Sequence, residues 1–245
     1  TITNYSSEEE WQSARAKLVT ASAVAAIMGK SSYTGRLQLW YAMQGLVSEQ
    51  KSAYQDERDM GHDSEEFHAG LYEKYTGRLV ADPGDWAIVT NKKYPSLGAT
   101  LDRLVLDEER GLGCMEMKWI KEFMRKYWAD GVPEHVLYQA QAQMLVTGLP
   151  WCSVSAVIGG CKPIYFDIDA HPSVQAGIVR AVAAWFRSLR DNVPPAPTGH
   201  ETDQWTIDAV FGAQDDGSME CGTDLLAVFE EWEEIAGKRI AIEKR

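Results

Sequence analysis

Between Gly98 and Ile120 the chain reads GATLDRLVLDEERGLGCMEMKWI, and the charged residues Asp102, Glu116 and Lys118 sit inside runs that otherwise look like buried strands. In Met115-Glu116-Met117-Lys118 an extended backbone alternates its side chains, so Glu116 and Lys118 share one face and the methionines take the other. The acidic turn EERGLG between the two runs predicts a hairpin, and antiparallel pairing brings Asp102 toward the face of Glu116. Two adjacent carboxylates repel. A hard divalent cation such as Mg²⁺ relieves this, bound through one or two carboxylates with water completing its shell. A lysine beside it can orient or deprotonate an attacking water, which is the logic of metal-assisted phosphodiester hydrolysis. The same three residues also fit a plain ion pair between Glu116 and Lys118 with Asp102 capping a turn, because the spacing is a loose pattern. The rest of the chain has to decide.

The elements that must position these residues follow from periodicity. SSEEEWQSARAKL has serines ahead of three glutamates, a capped helix start, and TASAVAAIMG predicts a short helix ending at Gly29. GRLQLWYAMQGLV gives a third helix. GHDSEEFHAGLYEKYTG predicts a helix with Phe67, Leu71 and Tyr75 on its apolar face, Glu65 near its start and a stop at Gly77. DWAIVTN, ATLDRLVLD and CMEMKWI are strands. After Pro133 comes the helix EHVLYQAQAQMLVTG, in which Gln139, Gln141 and Gln143 alternate with alanine. WCSVSAVIGG and KPIYFDID form a second strand pair, and HPSVQAGIVRAVAAWFRSLRD is an amphipathic helix started by Pro172. VPPAPTG closes this unit, so the expected division is a domain over 1–198 and an acidic extension over 199–245. The extension ends in the long amphipathic helix LLAVFEEWEEIAGKRIAIEKR, still periodic where the chain stops, as in a shortened sequence.

Composition excludes several classes. No apolar run approaches the ~20 residues that span a bilayer, and TITNYSSEEEW lacks the basic and apolar regions of a signal peptide, so a cytoplasmic location and no membrane partner are expected. Cys114, Cys152, Cys161 and Cys221 are scattered singly, which gives no support to a disulfide framework, a structural zinc or an iron–sulfur cluster. GKSSYTGR lacks the spacing of a phosphate loop, which removes nucleoside triphosphate hydrolysis. A net charge of −12 argues against a nucleic-acid partner at face value. Its distribution changes that reading: residues 201–237 hold eleven Asp or Glu and no Lys or Arg, leaving residues 1–200 at only −4. Arg15 with Lys17, and Lys118, Lys121, Arg125 and Lys126, then stand as local basic patches. Of the nine tryptophans, Trp40, Trp185 and Trp232 fall on helix faces expected in the core, while Trp119 and Trp128 flank the basic run and are the better candidates for contact with a base.

Taken in order, WQSARAKLVTAS, AAIMGKSSYTGRLQLW, MGHDSEEFHAGLYEKYTG, GATLDRLV, EMK and YQAQAQMLVTG resemble the phage lambda exonuclease and YqaJ-type viral recombinase family of the PD-(D/E)xK nucleases, from about Trp11 to about Arg190. The resemblance implies an α/β fold with a restriction-endonuclease-like core: a central mixed, twisted sheet of about five strands flanked by helices, with a helical N-terminal part and an acidic helical C-terminal appendage. It implies a Mg²⁺-dependent enzyme, with Mn²⁺ as a substitute, in which Asp102, Glu116 and the backbone carbonyl of Met117 hold the metal. Glu65 looks toward that region directly or through water. Lys118 positions or activates the attacking water. Gln139 and Gln141 match a Q-x-Q element, with Gln141 as the expected site residue. Arg15 and Ser22 correspond to residues that hold a 5′-terminal phosphate, which suits an Arg fork and a hydroxyl near a helix start. Lys121 or Arg125 supplies a further cation there.

Relatives form a ring-shaped homotrimer around duplex DNA, release 5′-mononucleotides from one strand, and act with a single-strand annealing protein in phage or prophage recombination in the bacterial cytoplasm. The chain departs from the usual pattern at Thr100-Leu101-Asp102-Arg103, where S-P-D-G is common, and at Trp119-Ile120, where Cys-Pro is common. Neither change removes a proposed ligand. Arg103 is thereby marked as a residue that could reach a phosphate or the acidic turn. Three readings stand: a 5′-to-3′ exonuclease on double-stranded DNA, an endonuclease or structure-specific nuclease of the same superfamily, and a non-catalytic DNA-end-binding module.

Overall fold

A computed structural model of the chain describes residues 1–47 and 60–212. Two mixed sheets carry it. The larger runs in the order β3 (Leu79–Ala81), β6 (Arg103–Asp107), β7 (Gly111–Ile120), β8 (Trp151–Ile158), β9 (Ile164–Asp169). The smaller runs β1 (Ile2–Asn4), β4 (Ala87–Thr90), β5 (Leu97–Ala99), β2 (Val19–Thr20). The larger sheet is the expected mixed sheet of five strands. The smaller one is not expected as a sheet: DWAIVTN predicts a strand and forms β4, but β1, β2 and β5, two or three residues each, carry no usable periodicity.

In the larger sheet only β7 and β8 are parallel. A parallel pair needs a crossover, and α5 (Glu134–Thr147) provides it. The crossover covers one face of the sheet together with α6 (Pro172–Arg190), while α4 (Glu65–Thr76) covers the other. All eight residues of β8 are buried for that reason. Ahead of these lie α1 (Glu8–Arg15), α2 (Ala21–Ile27) and α3 (Arg36–Met43). At the start of α1 the Glu10 amide donates to Ser7 Oγ at 3.3 Å and the Ser6 amide to Glu10 Oε2 at 3.1 Å, the reciprocal cap that the serine-glutamate run predicted. Both α4 and α5 stop at a left-handed glycine, Gly77 with φ 74° and Gly148 with φ 77°. Among the described residues no helix is long and apolar enough to cross a membrane.

The buried side of α4 differs from the one expected. Phe67 is 60% exposed and Tyr75 41%, and the helix buries His68, Ala69 and Tyr72 instead. The strand beneath explains it: β8 presents Ser153 and Ser155 to α4, and their hydroxyls meet Tyr72 Oη and His68 Nε2, each at 2.9 Å. A polar seam of this kind is invisible to hydrophobic periodicity. Arg78 closes the same face, donating to Asp107 at 2.7 Å, to Asp167 at 2.8 and 2.6 Å and to Tyr72 Oη at 2.9 Å, with its guanidinium 5.0 Å from the Trp151 ring. Trp40 and Trp185 are buried as expected, and Trp232 lies outside the described residues. Trp128 is 5% exposed and packs near Phe166, so it cannot stack on a base as expected.

The first compact unit is Thr1–Val210, so it takes in most of α7 (Glu201–Phe211), a helix in the segment expected as the extension. Thr202 Oγ1 accepts from the Gly35 amide at 3.1 Å, and His200 Nε2 lies 3.2 Å from the Ser31 carbonyl. A Cβ on Gly35 would stand 2.6 Å from Thr202 Oγ1, so this close approach requires glycine. The long terminal helix lies outside the described residues.

Burial lowers the His68 pKa from 6.5 to about 4, so the folded protein holds it neutral. A histidine whose folded value lies below its unfolded one adds stability above the unfolded value and loses it as pH falls through the folded one. Denaturant unfolding is therefore expected to lose up to about 3 kcal/mol from this group between pH 6.5 and 4. His68→Gln, which can keep a hydrogen bond to Ser155, should flatten that loss; an unchanged pH slope would refute the assignment.

Candidate active site

The β6–β7 register pairs Arg103 with Met115, and one further step sets Asp102 opposite Glu116. By alternation both carboxylates and Lys118 lie on the face covered by α5. Asp102 also ends the ladder, its Oδ2 accepting the Met117 amide at 2.6 Å in place of a strand carbonyl. A strand residue directs its N–H and C=O to the same edge, so the Met117 carbonyl opens toward Asp102 as well. Glu116 is 1% exposed. Its Oε1 takes a short hydrogen bond from Lys118 Nζ, and its Oε2 accepts Gln143 Nε2 at 2.6 Å. Lys118 Nζ also reaches Gln139 Oε1 at 3.3 Å. One turn of α5 separates the two glutamines, so a single helix face serves both charged groups.

The charges are strongly coupled. Burial and the Glu116 carboxylate push the Asp102 pKa well above the ordinary carboxylate value, against the pull of Lys118 and the Met117 amide. Burial alone would lower Lys118, but Glu116 and Asp102 outweigh it and hold the ammonium above its ordinary value. Lys118 is thus a proton-bearing donor at neutral pH. His135 borders it, its pKa lowered by burial and by the Lys118 charge, and Tyr33 packs edge-on against His135 at 5.4 Å. Beneath the site Cys114 and Cys152 pair in register, and hydrogen bonding to Cys114 and burial keep the Cys152 thiol protonated.

The other anticipated residues fall in different places. Gln141 is not brought to the group: its Nε2 donates to the Asp169 carbonyl and its Oε1 accepts the His171 amide, each at 2.8 Å, which ties β9 to α6. Gln143 stands at the carboxylate instead. A position two residues on along the same alternating run was legible, but the phase of α5 was not. Glu65 lies near Asp102, whose pKa it raises, and pairs with Arg103 Nη1 at 3.0 Å. Arg103 does not turn to the acidic turn; it is 8% exposed and paired with Glu65 and Glu66 of α4. Arg15, 5.1 Å from the Trp11 ring, ends α1, and the exposed Ser22 lies in the first turn of α2, its Oγ 3.0 Å from Thr20 Oγ1. Between them β2 pairs with β5 in parallel, so the chain leaving Thr20 toward Ser22 runs the same way as the chain leaving β5 toward Asp102. Lys121 is exposed after β7, and Arg125 is clamped to Glu122 at 2.6 and 2.7 Å.

Among the described residues no three His, Cys, Asp or Glu side chains converge as a metal-binding group. Asp102, Glu116 and the Met117 carbonyl would offer a metal two carboxylates and a backbone carbonyl, all oxygen. That set fits a hard cation that keeps several waters and does not fit zinc. The repulsion that raises Asp102 is the charge such a cation would relieve.

The family model for the YqaJ-like viral recombinase domain matches residues 10–150, over half of the chain. Among solved structures the chain is similar to an alkaline exonuclease, LHK-Exo, from Laribacter hongkongensis, seen alone and in complex with dAMP. Both superpose with 24% identity over 76% of this chain and 94% of that one, at TM-scores of 0.62 and 0.63 respectively. A phage-related exonuclease from Haemophilus somnus 129PT matches at 11% identity, over 71% of this chain and 96% of that one, with a TM-score of 0.51. At these identities the likeness is one of fold. No curated protein matches the chain.

A carboxyl whose folded pKa is raised adds stability below its unfolded value and costs stability as pH rises through the folded one. Asp102→Asn in chelator at pH 8 should therefore be more stable than the unsubstituted protein, with a higher melting temperature. Divalent cation should raise the melting temperature of the unsubstituted protein and leave the variant's unmoved. A variant that melts lower in chelator would refute the raised Asp102 carboxyl.

Proposed function

The chain belongs to the YqaJ-like viral recombinase domain family and is a nuclease, and on that premise we propose that it is a Mg²⁺-dependent 5′-to-3′ exonuclease acting on the ends of double-stranded DNA. The observation that carries the reading is the opposed pair Asp102 and Glu116 with Lys118 on the same sheet face. Asp102, Glu116 and the Met117 carbonyl would hold the cation. When bound it supplies Lewis acidity at the scissile phosphate and lowers the cost of forming hydroxide.

The protein's own groups do the rest. Glu116 fixes Lys118, and Gln139 holds the ammonium from the other side. Lys118, kept protonated, donates to the attacking water and to the phosphate oxygens on which charge develops. Water oxygen adds to phosphorus and the P–O3′ bond breaks, with a water proton ending on the 3′ oxygen and a 5′-mononucleotide leaving. Gln143 keeps Glu116 from turning away as charge shifts. Arg15 and Ser22 bind the 5′-terminal phosphate, carried by the nucleotide about to be released, supported by the shared direction of the segments after β2 and β5; Lys121 adds charge there. A homotrimeric ring and a single-strand annealing protein complete the proposed recombination role in the bacterial cytoplasm.

The test uses linear duplex with a 5′-phosphate or a 5′-hydroxyl and a closed circle, each with Mg²⁺ or chelator. Mononucleotides should come from phosphorylated linear ends only. Lys118→Ala should cut the rate by at least about 100-fold. Arg15→Ala should erase the preference for the phosphorylated end while leaving hydroxyl ends as slow as before. Cutting of the circle would make the protein an endonuclease, and end binding without product in any condition would make it a binding module.

A further inference from the structure

The segment after β7 shows solvent a different set of aromatic residues from the one its sequence suggested. Residues 122–128 form a 3-10 helix, with three residues to a turn, so Glu122, Arg125 and Trp128 line up along one side. That side is held against the body. Trp128 is buried beside Phe166, and Arg125 donates to Glu122 at 2.6 and 2.7 Å and to the Ile158 carbonyl at 3.3 Å. Glu122 also lies over Gly159, where a Cβ would stand 3.2 Å from the Glu122 Cβ and where φ is 63°, so the turn after β8 needs glycine. The outer sides are open: Phe123 is 65% exposed and Tyr127 57%. The exposed Lys126 sets its ammonium 5.0 Å from the centre of the Tyr127 ring.

The chemistry around these rings says what covers them. Glu122 is the one carboxylate in residues 121–128, and Arg125 neutralises it, so the outer surface carries positive charge beside two π faces. That combination fits single-stranded nucleic acid, whose bases stack on aromatic rings while its phosphates take the cations. The buried centre of a contact between proteins is instead depleted of lysine. Position agrees: Phe123 follows Lys118 by five residues, which span at most about 18 Å, or about five base steps of ~3.4 Å. A nuclease that removes one strand of a duplex leaves bases of the other unpaired within that reach. We propose that Phe123 and Tyr127 form a stacking surface for unpaired bases of single-stranded DNA, with Lys126 taking an adjacent phosphate. The surface serves the strand left behind, and it rests on the exonuclease reading above.

The experiment measures, by fluorescence anisotropy in chelator, binding of the full chain to a labelled oligodeoxythymidylate and to an abasic strand of equal length, which keeps every phosphate and lacks every base. The unsubstituted chain should bind the thymidylate strand at least about tenfold more tightly. Phe123→Ser/Tyr127→Ser should lose that preference while binding the abasic strand within about twofold of the unsubstituted chain, and Phe123→Trp/Tyr127→Trp should keep it. Lys126→Gln should weaken both strands alike and lower the salt dependence by about one phosphate. Circular dichroism confirms that each variant is folded. Equal affinity of the unsubstituted chain for the two strands, or a folded serine variant that keeps the preference, overturns the proposal. So does a change of oligomeric mass in the serine variant by light scattering, which would assign the aromatics to a contact between copies. Lys118→Ala separates the two readings, because it should lose hydrolysis and keep the preference for bases. An active unsubstituted chain without the preference overturns the stacking surface alone; an inactive one with the preference sustains the surface and overturns the exonuclease.

Discussion

Burying the Glu116 carboxylate is the constraint on which the rest of the molecule depends. At 1% exposure it has lost its water, and an uncompensated charge there would cost on the order of 3–5 kcal/mol. Lys118 and Gln143 supply the compensation, and Gln143 can do so only from a helix lying across β7. The parallel pairing of β7 with β8 makes α5 that helix, since the chain must cross over the sheet to return in the same direction. Strand order, crossover and carboxylate are thus one decision. The opposed Asp102 leaves the arrangement under electrostatic tension, which the protein alone relieves only in part.

The opposite face of the sheet is built to be rigid. Arg78 joins α4, β6 and β9 through Tyr72, Asp107 and Asp167 while covering Trp151, and Arg110 adds a pair to Asp169 from 4.7 Å above the same ring. His68 and Tyr72 pin α4 to the β8 serines. The consequence reaches the site, because α4 starts at Glu65 and its fixed axis sets where that carboxylate meets Arg103. A polar seam gives directional bonds that slipping apolar surfaces lack.

Charge placement resolves an apparent conflict. A chain at −12 looks unsuited to DNA, yet the acidic excess is concentrated after residue 200. Field depends on position, so cations near a catalytic face act despite the total. Not every cation in the sequence is available for that purpose: Arg125 is clamped by Glu122, and Arg103 is buried and paired with Glu65. The loop carrying Tyr33 is fixed by His200 and Thr202, which makes the segment around 200 part of the frame of the site.

By itself the sequence determined the face shared by Glu116 and Lys118, the hairpin that brings Asp102 to it, the principal helices with their caps, and the family pattern, because alternation and short turns are local properties. Ser7, Gly77 and Gly148 were legible for the same reason. Only the tertiary structure decided which glutamine meets the carboxylate, since the phase of α5 is set by the sheet under it and not by its own alternating alanines. It alone turned α4 onto His68 and Tyr72, buried Trp128, and sent Arg103 to Glu65. Each of these depends on a polar or aromatic partner more than 30 residues away in the chain, and no local pattern carries that information.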